Sequence, residues 1–348
     1  MPRMMKCTIV TAVLAAMICL PAIGLAETSA EQQDQSNWLA LADKPADTAK
    51  VKAAPEKAPP PAPDAWEKPG VLKAFSFGLD YTMLTDYVWR GINMSEYRGE
   101  GREKLNHQLT VSFEVDPSKL GTANIGRFGG SIWFEWFAGQ EQLTGWSGNN
   151  LQEVDYTVYW AYDIEPCGLG VELGWIGYHF PRFRDSGSTV SADSAYTHEA
   201  YIKLSYDDSK IFDKPMLNPY VAYYQDIDDV RGGILAFGVS HDFVLKDMGL
   251  AEACICKDLT LTPSFAMVID HRYYDKAGVG GDGGIGTRLG YLEYSLAVAY
   301  DLSSAFCIPA QYGALNLTGF ITFDQSLHDS ANAVQDEFYG GVKLSWGW

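Results

Sequence analysis

The feature that most constrains the fold of this chain is a strict alternation of apolar and polar residues. It is clearest in residues 337–348, EFYGGVKLSWGW, where Phe338, Val342, Leu344 and Trp346 share one parity and the other parity is mostly polar or glycine. Successive side chains of a β-strand point to opposite faces, so this period of two predicts a strand with one apolar face. Similar segments recur from residue 74 onward, which excludes a helical domain and predicts an all-β fold.

Twelve such segments are predicted as strands. They cover residues 75–90, 108–115, 130–138, 153–162, 171–180, 197–206, 219–225, 234–243, 259–269, 292–300, 315–324 and 337–348. The alternative is a soluble β-sandwich, but sandwich strands are commonly only ~5–6 residues long. We therefore expect a transmembrane, antiparallel up-and-down β-barrel of about 12 strands over residues 73–348.

An even strand number would place both ends of the barrel on the periplasmic side. The last apolar-face residues of the even-numbered strands are then Val115, Tyr162, Tyr206, Phe243, Tyr300 and Trp348, and all but the first are aromatic. This is the aromatic girdle expected at a membrane interface. Tyr87 and Trp89 are expected on the same outward face, at the opposite end of the first strand. Pro263 has no N–H to donate within its strand, so a bulge is expected there.

The first 72 residues have a different composition from the strands. Arg3, Lys6 and the apolar stretch 8–25 predict a signal peptide over residues 1–26, with an N-terminal membrane anchor as the alternative. Residues 27–72 are rich in Ala, Pro, Lys and Glu and predict a disordered periplasmic spacer. The net charge of −18 argues against nucleic acid as a partner, and loss of the signal peptide would make the chain more negative still.

The polar faces of the predicted strands carry many more acids than bases. The candidates for lumen-facing residues are Asp80, Asp86, Arg90, Glu114, Glu135, Glu153, Asp155, Glu172, Glu199, Lys203, Glu293 and Asp324, joined by Glu337 and Lys343. An acidic lumen in a narrow pore favours cations. The alternative is that these charges pair with one another inside a closed barrel. We expect Arg90 to pair with one of the lumen acids.

Four cysteines would remain after removal of the signal peptide, which is an even number in an oxidising compartment. Cys167, Cys254, Cys256 and Cys307 all lie in connections that this topology places on the periplasmic side. They are therefore candidates for disulfide bonds, and four cysteines allow three pairings. Free thiols in the turns are the alternative.

Residues 85–92, TDYVWRGI, carry a resemblance to a known family. The chain resembles the TorF-type outer-membrane porin family, whose first strand carries such a segment, and residues 196–206 and 219–226 are similar in style to its middle strands. The resemblance implies a small-solute channel without catalytic residues in the outer membrane. Outer-membrane barrels in general also imply that a final strand ending in Trp348 is recognised by the barrel-assembly machinery.

The sequence therefore predicts an outer-membrane channel that passes small solutes or cations and contacts outer-membrane lipid. A closed structural or adhesive barrel is the first alternative. An outer-membrane lipid hydrolase is the second, but Ser240 and His241 are adjacent on one strand and point to opposite faces. No zinc spacing or phosphate-binding glycine loop occurs, so we expect no enzyme activity, metal or cofactor.

Overall fold

The computed structural model describes residues 70–95, 105–137, 151–165, 167–181, 196–212, 214–246, 248, 258–276, 286–327 and 334–348. The predicted signal peptide and all but the last residues of the predicted spacer lie outside these ranges. The described chain begins with a short 3-10 helix, Gly70–Ala74, which leads directly into the first strand. No helix within these ranges is long and apolar enough to cross a membrane.

Fifteen strands occur among the described residues. They are β1 (Phe75–Leu84), β2 (Val88–Trp89), β3 (Ile92–Asn93), β4 (Asn106–Val115), β5 (Arg127–Phe137), β6 (Leu151–Ile164), β7 (Leu169–His179), β8 (Tyr196–Tyr206), β9 (Tyr220–Asp226), β10 (Gly233–Ser240), β11 (Phe243–Val244), β12 (Leu259–His271), β13 (Thr287–Asp301), β14 (Ala314–Ser326) and β15 (Glu337–Gly347). Short helices occupy several connections: Pro117–Leu120, Ser209–Phe212, Tyr273–Lys276, Leu302–Ala305 and Ala310–Tyr312.

Twelve of these strands form one closed antiparallel barrel. Along the sheet, β1 pairs with β4 on one side and with β15 on the other, and each later long strand pairs with its neighbours in sequence. Pairing of β10 with β12 completes the closure, and the two-residue β11 continues the edge of β10 along β12. The prediction of an all-β barrel of about 12 strands is confirmed.

The two faces of the barrel wall differ in chemistry. On β1, Phe77, Leu79, Tyr81 and Met83 are exposed. Other exposed apolar residues lie on the outer face of further strands, among them Val111, Phe113, Ile132, Tyr156, Val158, Leu173, Ile202, Phe237, Phe265, Tyr294, Phe323, Phe338, Leu344 and Trp346. All of these have the parity that the alternation assigns to the outward face. The buried parity carries Thr, Tyr, Asp and Glu side chains instead.

The first strand differs from the prediction. β1 ends at Leu84, whereas the alternation predicted a strand reaching Arg90. Tyr87 and Trp89 are only 1% and 3% exposed, so the prediction that they belong to an outward aromatic girdle is wrong. The chain leaves the wall here and turns into the barrel, and the aromatic residues that look like an outer face pack inside.

The predicted bulge at Pro263 is also wrong. Pro263 stays in register opposite Leu296 of β13, and the irregularity in β12 lies further along, between Val268 and Ile269. The Pro263 carbonyl accepts a hydrogen bond from the backbone N–H of His241 at 3.1 Å. In an antiparallel sheet the N–H and the carbonyl of one residue point to the same neighbouring strand. The N–H that Pro263 lacks would therefore have pointed towards His241. The ladder is interrupted there, between the end of β10 and the start of β11.

Candidate functional site

A short hairpin inside the barrel forms the candidate site. Residues 86–95, here called the inner hairpin, follow β1 and contain β2 and β3, which pair Val88 with Asn93 and Trp89 with Ile92. Arg90 and Gly91 at its tip both have positive φ, 52° and 74°. Two positive φ values in a two-residue loop are characteristic of a type I′ hairpin turn. A Cβ at Gly91 would lie 2.9 Å from the Tyr291 ring, so the tip also needs glycine for space.

The inner hairpin is buried and contacts strands around the whole barrel. The Tyr87 hydroxyl donates to Glu153 of β6 at 2.7 Å, and its ring lies 5.6 Å from that of Trp133 on β5. On another side, the Asn93 amide donates to Glu337 of β15 at 3.2 Å. Because β1 starts at the end of the barrel where Gly70 and Trp348 lie, the hairpin fills the opposite mouth.

Arg90 forms the centre of these contacts and is 2% exposed. Its guanidinium donates to Glu199 of β8 at 2.7 Å, in an ion pair with both side chains almost fully buried. The carbon of the guanidinium lies 3.8 Å from the centre of the Tyr273 ring and 4.4 Å from that of Trp89. The Tyr274 hydroxyl donates to the Arg90 carbonyl at 2.5 Å and holds the backbone of the tip.

The mouth around the hairpin is lined by buried acids. Of the predicted candidates, the structure buries Asp86, Glu135, Glu153, Glu199, Glu293 and Asp324 at this end of the barrel, with Asp155 partly buried beside Glu153. Asp86 accepts a hydrogen bond from Asn93 at 3.2 Å. Burial raises the pKa of Asp86, and hydrogen bonds from Asn93 and Thr85 partly oppose that rise.

Four other candidates lie away from the hairpin. Asp80 is in the middle of β1, whereas Glu114, Glu172 and Lys203 lie towards the end of the barrel where β1 starts. Glu114 accepts from the Tyr159 hydroxyl at 2.8 Å and pairs with Arg127. Glu172 accepts from the Tyr201 hydroxyl at 2.8 Å and lies opposite Lys203 in the β7–β8 register.

Several residues of this site were not predicted from the sequence. Tyr178 and the pair Tyr273 and Tyr274 contact Arg90 or its partner, and Asp270 anchors the last two by accepting from the backbone N–H of Tyr273 at 2.6 Å. The sequence contained one local sign of the inner hairpin, in the predicted first strand. A 16-residue first strand is longer than a membrane crossing of ~9–11 residues needs, and its surplus contains an Arg-Gly pair suited to a tight turn.

Of the remaining candidates, Cys167, Cys307 and Trp348 lie at the end of the barrel where β1 starts and β15 ends. Cys167 and Cys307 are exposed free thiols in the structure. Cys254 and Cys256 lie outside the described residues, so the disulfide pairing stays a prediction. The Trp348 ring packs 5.9 Å from that of Phe77, and its role in assembly likewise stays a prediction. Within the described ranges, no group of three or more His, Cys, Asp or Glu side chains is placed to hold a metal ion.

Comparison with known proteins finds distant similarity only. No family model and no curated protein matches the chain. Outer membrane protein OprD from Pseudomonas aeruginosa is similar at 12% identity and a TM-score of 0.32, over 78% of this chain but only 65% of OprD. An outer-membrane channel from Pseudomonas putida F1 is similar at 8% identity and a TM-score of 0.38, over 83% of this chain and 100% of that one. Salmonella typhi OmpF is similar at 9% identity and a TM-score of 0.32, over 79% of this chain and 96% of OmpF. Similarity at this level assigns no function, and the resemblance to the TorF-type family stays a prediction.

Proposed function

We propose that this chain is a bacterial outer-membrane channel of the TorF-type porin class that passes small solutes and prefers cations. The observation that carries the proposal is the chemistry of the two faces of a closed barrel. Apolar side chains are exposed on the outside, and acids are concentrated on the inside. Water-soluble proteins rarely expose so much apolar surface on one face, whereas the lipid-facing surface of a membrane barrel is apolar.

The geometry of the wall supports insertion into a membrane. Most of the barrel strands are 10 to 15 residues long, with β9 and β10 shorter. A tilted transmembrane strand needs ~9–11 residues. Closure pairs every long strand of the described barrel on both sides, which is required where no water is available to hydrogen-bond the backbone. Outer-membrane lipid is therefore the proposed partner of the outer face.

The charge inside supports a preference for cations. The twelve candidate residues include ten acids and two bases, Arg90 and Lys203. In a narrow space bounded by a low-dielectric wall, such an excess lowers the energy of a cation and raises that of an anion. Arg90 is paired with Glu199, so it offsets only part of this charge.

The inner hairpin favours a second function, a closed structural barrel. Tyr87, Arg90 and Ile92 are buried and make contacts on several sides of the barrel, so the hairpin obstructs the mouth. A barrel of ~8 strands is filled by side chains and one of ~16 leaves an aqueous channel, and twelve lies between them. The two functions differ in whether solutes pass the hairpin.

Conductance in planar lipid bilayers tests the proposal. The purified full-length protein should give discrete current steps, and in a salt gradient the reversal potential should show cation selectivity. The preference should weaken above ~0.15 M salt, where the screening length falls below ~8 Å. Exchange of Glu114 and Glu172 for Gln should reduce it, because these acids line the half without the hairpin. A folded barrel without current would favour the closed alternative, and anion selectivity would contradict the acidic pathway.

A further inference from the structure

We propose that Arg90 is a tethered occupant of a binding site for guanidinium compounds, and that a cationic solute of this class displaces it. The inference rests on the proposed channel function and names its solute class. It starts from the division of the site into two parts. The receptor groups belong to the barrel wall and to the helix after β12, and the cation belongs to the inner hairpin.

The carboxylate of Glu199 has one hydrogen-bond partner on the barrel wall and one on the hairpin. It lies on β8 with no solvent exposure. One oxygen accepts from the Tyr178 hydroxyl of β7 at 3.0 Å, and the other accepts from Arg90 at 2.7 Å. Withdrawal of the hairpin would leave a carboxylate that is already oriented by one tyrosine and open to a cation on its other side.

The Tyr273 ring provides a flat surface for the same cation. It lies 3.8 Å from the carbon of the Arg90 guanidinium, within the range of a cation–π contact. The backbone N–H of Tyr273 donates to Asp270 of the barrel wall at 2.6 Å, and the Trp89 ring of the hairpin packs edge-on against the Tyr273 ring with 5.6 Å between ring centres. A planar guanidinium uses both a carboxylate and an aromatic face, whereas an ammonium is a compact point charge, so the site should prefer guanidinium.

The burial of Glu199 explains why replacement of Arg90 by a solute cation is favoured over withdrawal of the hairpin alone. A carboxylate without its counter-ion in a buried position is strongly destabilising. If the hairpin leaves and no cation enters, Glu199 bears this penalty until water reaches it. A guanidinium solute keeps the charge paired throughout. Occupation by Arg90 and occupation by a solute exclude each other, so the solute itself favours withdrawal of the hairpin.

Chemical rescue of Arg90→Ala in planar bilayers tests this inference. The full-length variant should conduct several-fold more sodium current than the native protein, because its hairpin has lost its anchor. Low-millimolar guanidinium ion should lower that current, with half-block at a concentration about tenfold below that of methylammonium. The double variant R90A/E199Q should lose this difference. Arg231→Ala is the matched control, since Arg231 is exposed at the same end of the barrel, and it should behave like the native protein.

The outcomes separate the inference from the proposed function. If R90A conducts but guanidinium and methylammonium block it equally, the binding site is refuted and the channel stands. If neither native nor R90A protein conducts although both are folded, the channel proposal fails and the inference fails with it. If R90A does not fold, Arg90→Lys replaces it. The guanidinium concentration that changes the current should then be about tenfold lower for R90K than for the native protein. Equal concentrations for the two proteins would overturn the inference.

Discussion

The ion pair between Arg90 and Glu199 makes a quantitative prediction for stability. Both side chains are at most 1% exposed, so removal of one partner leaves the other as an uncompensated buried charge. Such a loss costs about 3–5 kcal/mol of unfolding free energy. We therefore expect Arg90→Met and Glu199→Leu each to destabilise the barrel by about that amount. The double variant removes both charges and should be about 2–3 kcal/mol more stable than the sum of the single effects predicts.

The measurement is urea-induced unfolding of the four proteins in lipid vesicles, followed by tryptophan fluorescence. Arg231→Met serves as control. Arg231 is exposed in the turn between β9 and β10, and its loss should change the unfolding free energy by no more than about 0.5 kcal/mol. Additive effects, with a coupling of less than about 0.5 kcal/mol, would refute the reasoning, because they would show that the two charges do not compensate each other.

Two further predictions concern the wall and one of its turns. Val158, which is 53% exposed on β6, should tolerate Arg poorly in lipid, at a cost of about 2–4 kcal/mol, whereas Ile227→Arg in an exposed turn should be nearly neutral. Equal costs in vesicle unfolding would contradict the outward face. Asp226 accepts from the backbone N–H groups of residues 228, 230 and 231, each at 3.0 Å, so Asp226→Ala should cost at least about 2 kcal/mol. The exposed neighbour Asp228→Ala should cost less than about 1 kcal/mol, and a similar loss for both would show that the turn does not depend on Asp226.

The wall of the barrel was predictable because its signal is local. The alternation of β6, with Tyr156 and Val158 outward and Thr157 inward, follows from the period of the pleat and needs no knowledge of other strands. The same parity holds along the other barrel strands, except that Val154, which has the outward parity of β6, is only 5% exposed. Strand limits shifted by only a few residues, except in the first strand. The parity also placed acids such as Glu199 and Asp324 on the buried side.

The inner hairpin was not predictable from the same signal. Leu84, Thr85 and Val88 interrupt the alternation, but Tyr87 and Trp89 keep the parity of the outward residues of β1 and look like any other outward aromatic pair. Periodicity states which residues share a face but not whether that face meets lipid or the interior. Whether the face meets lipid or the interior depends on contacts with residues that are remote in sequence, such as Glu153 for Tyr87 and Tyr291 for Gly91.

The sequence by itself determined the strands, their inward and outward faces and the excess of acid on the inner side, because each follows from spacing along a short segment. The tertiary structure alone decided where the first strand ends and which acid receives Arg90. That acid, Glu199, lies 109 residues away, and many other acids were available to it. Only closure of the barrel brings β8, the helix after β12 and the hairpin tip together, and burial at that meeting point makes one pairing far more favourable than the rest.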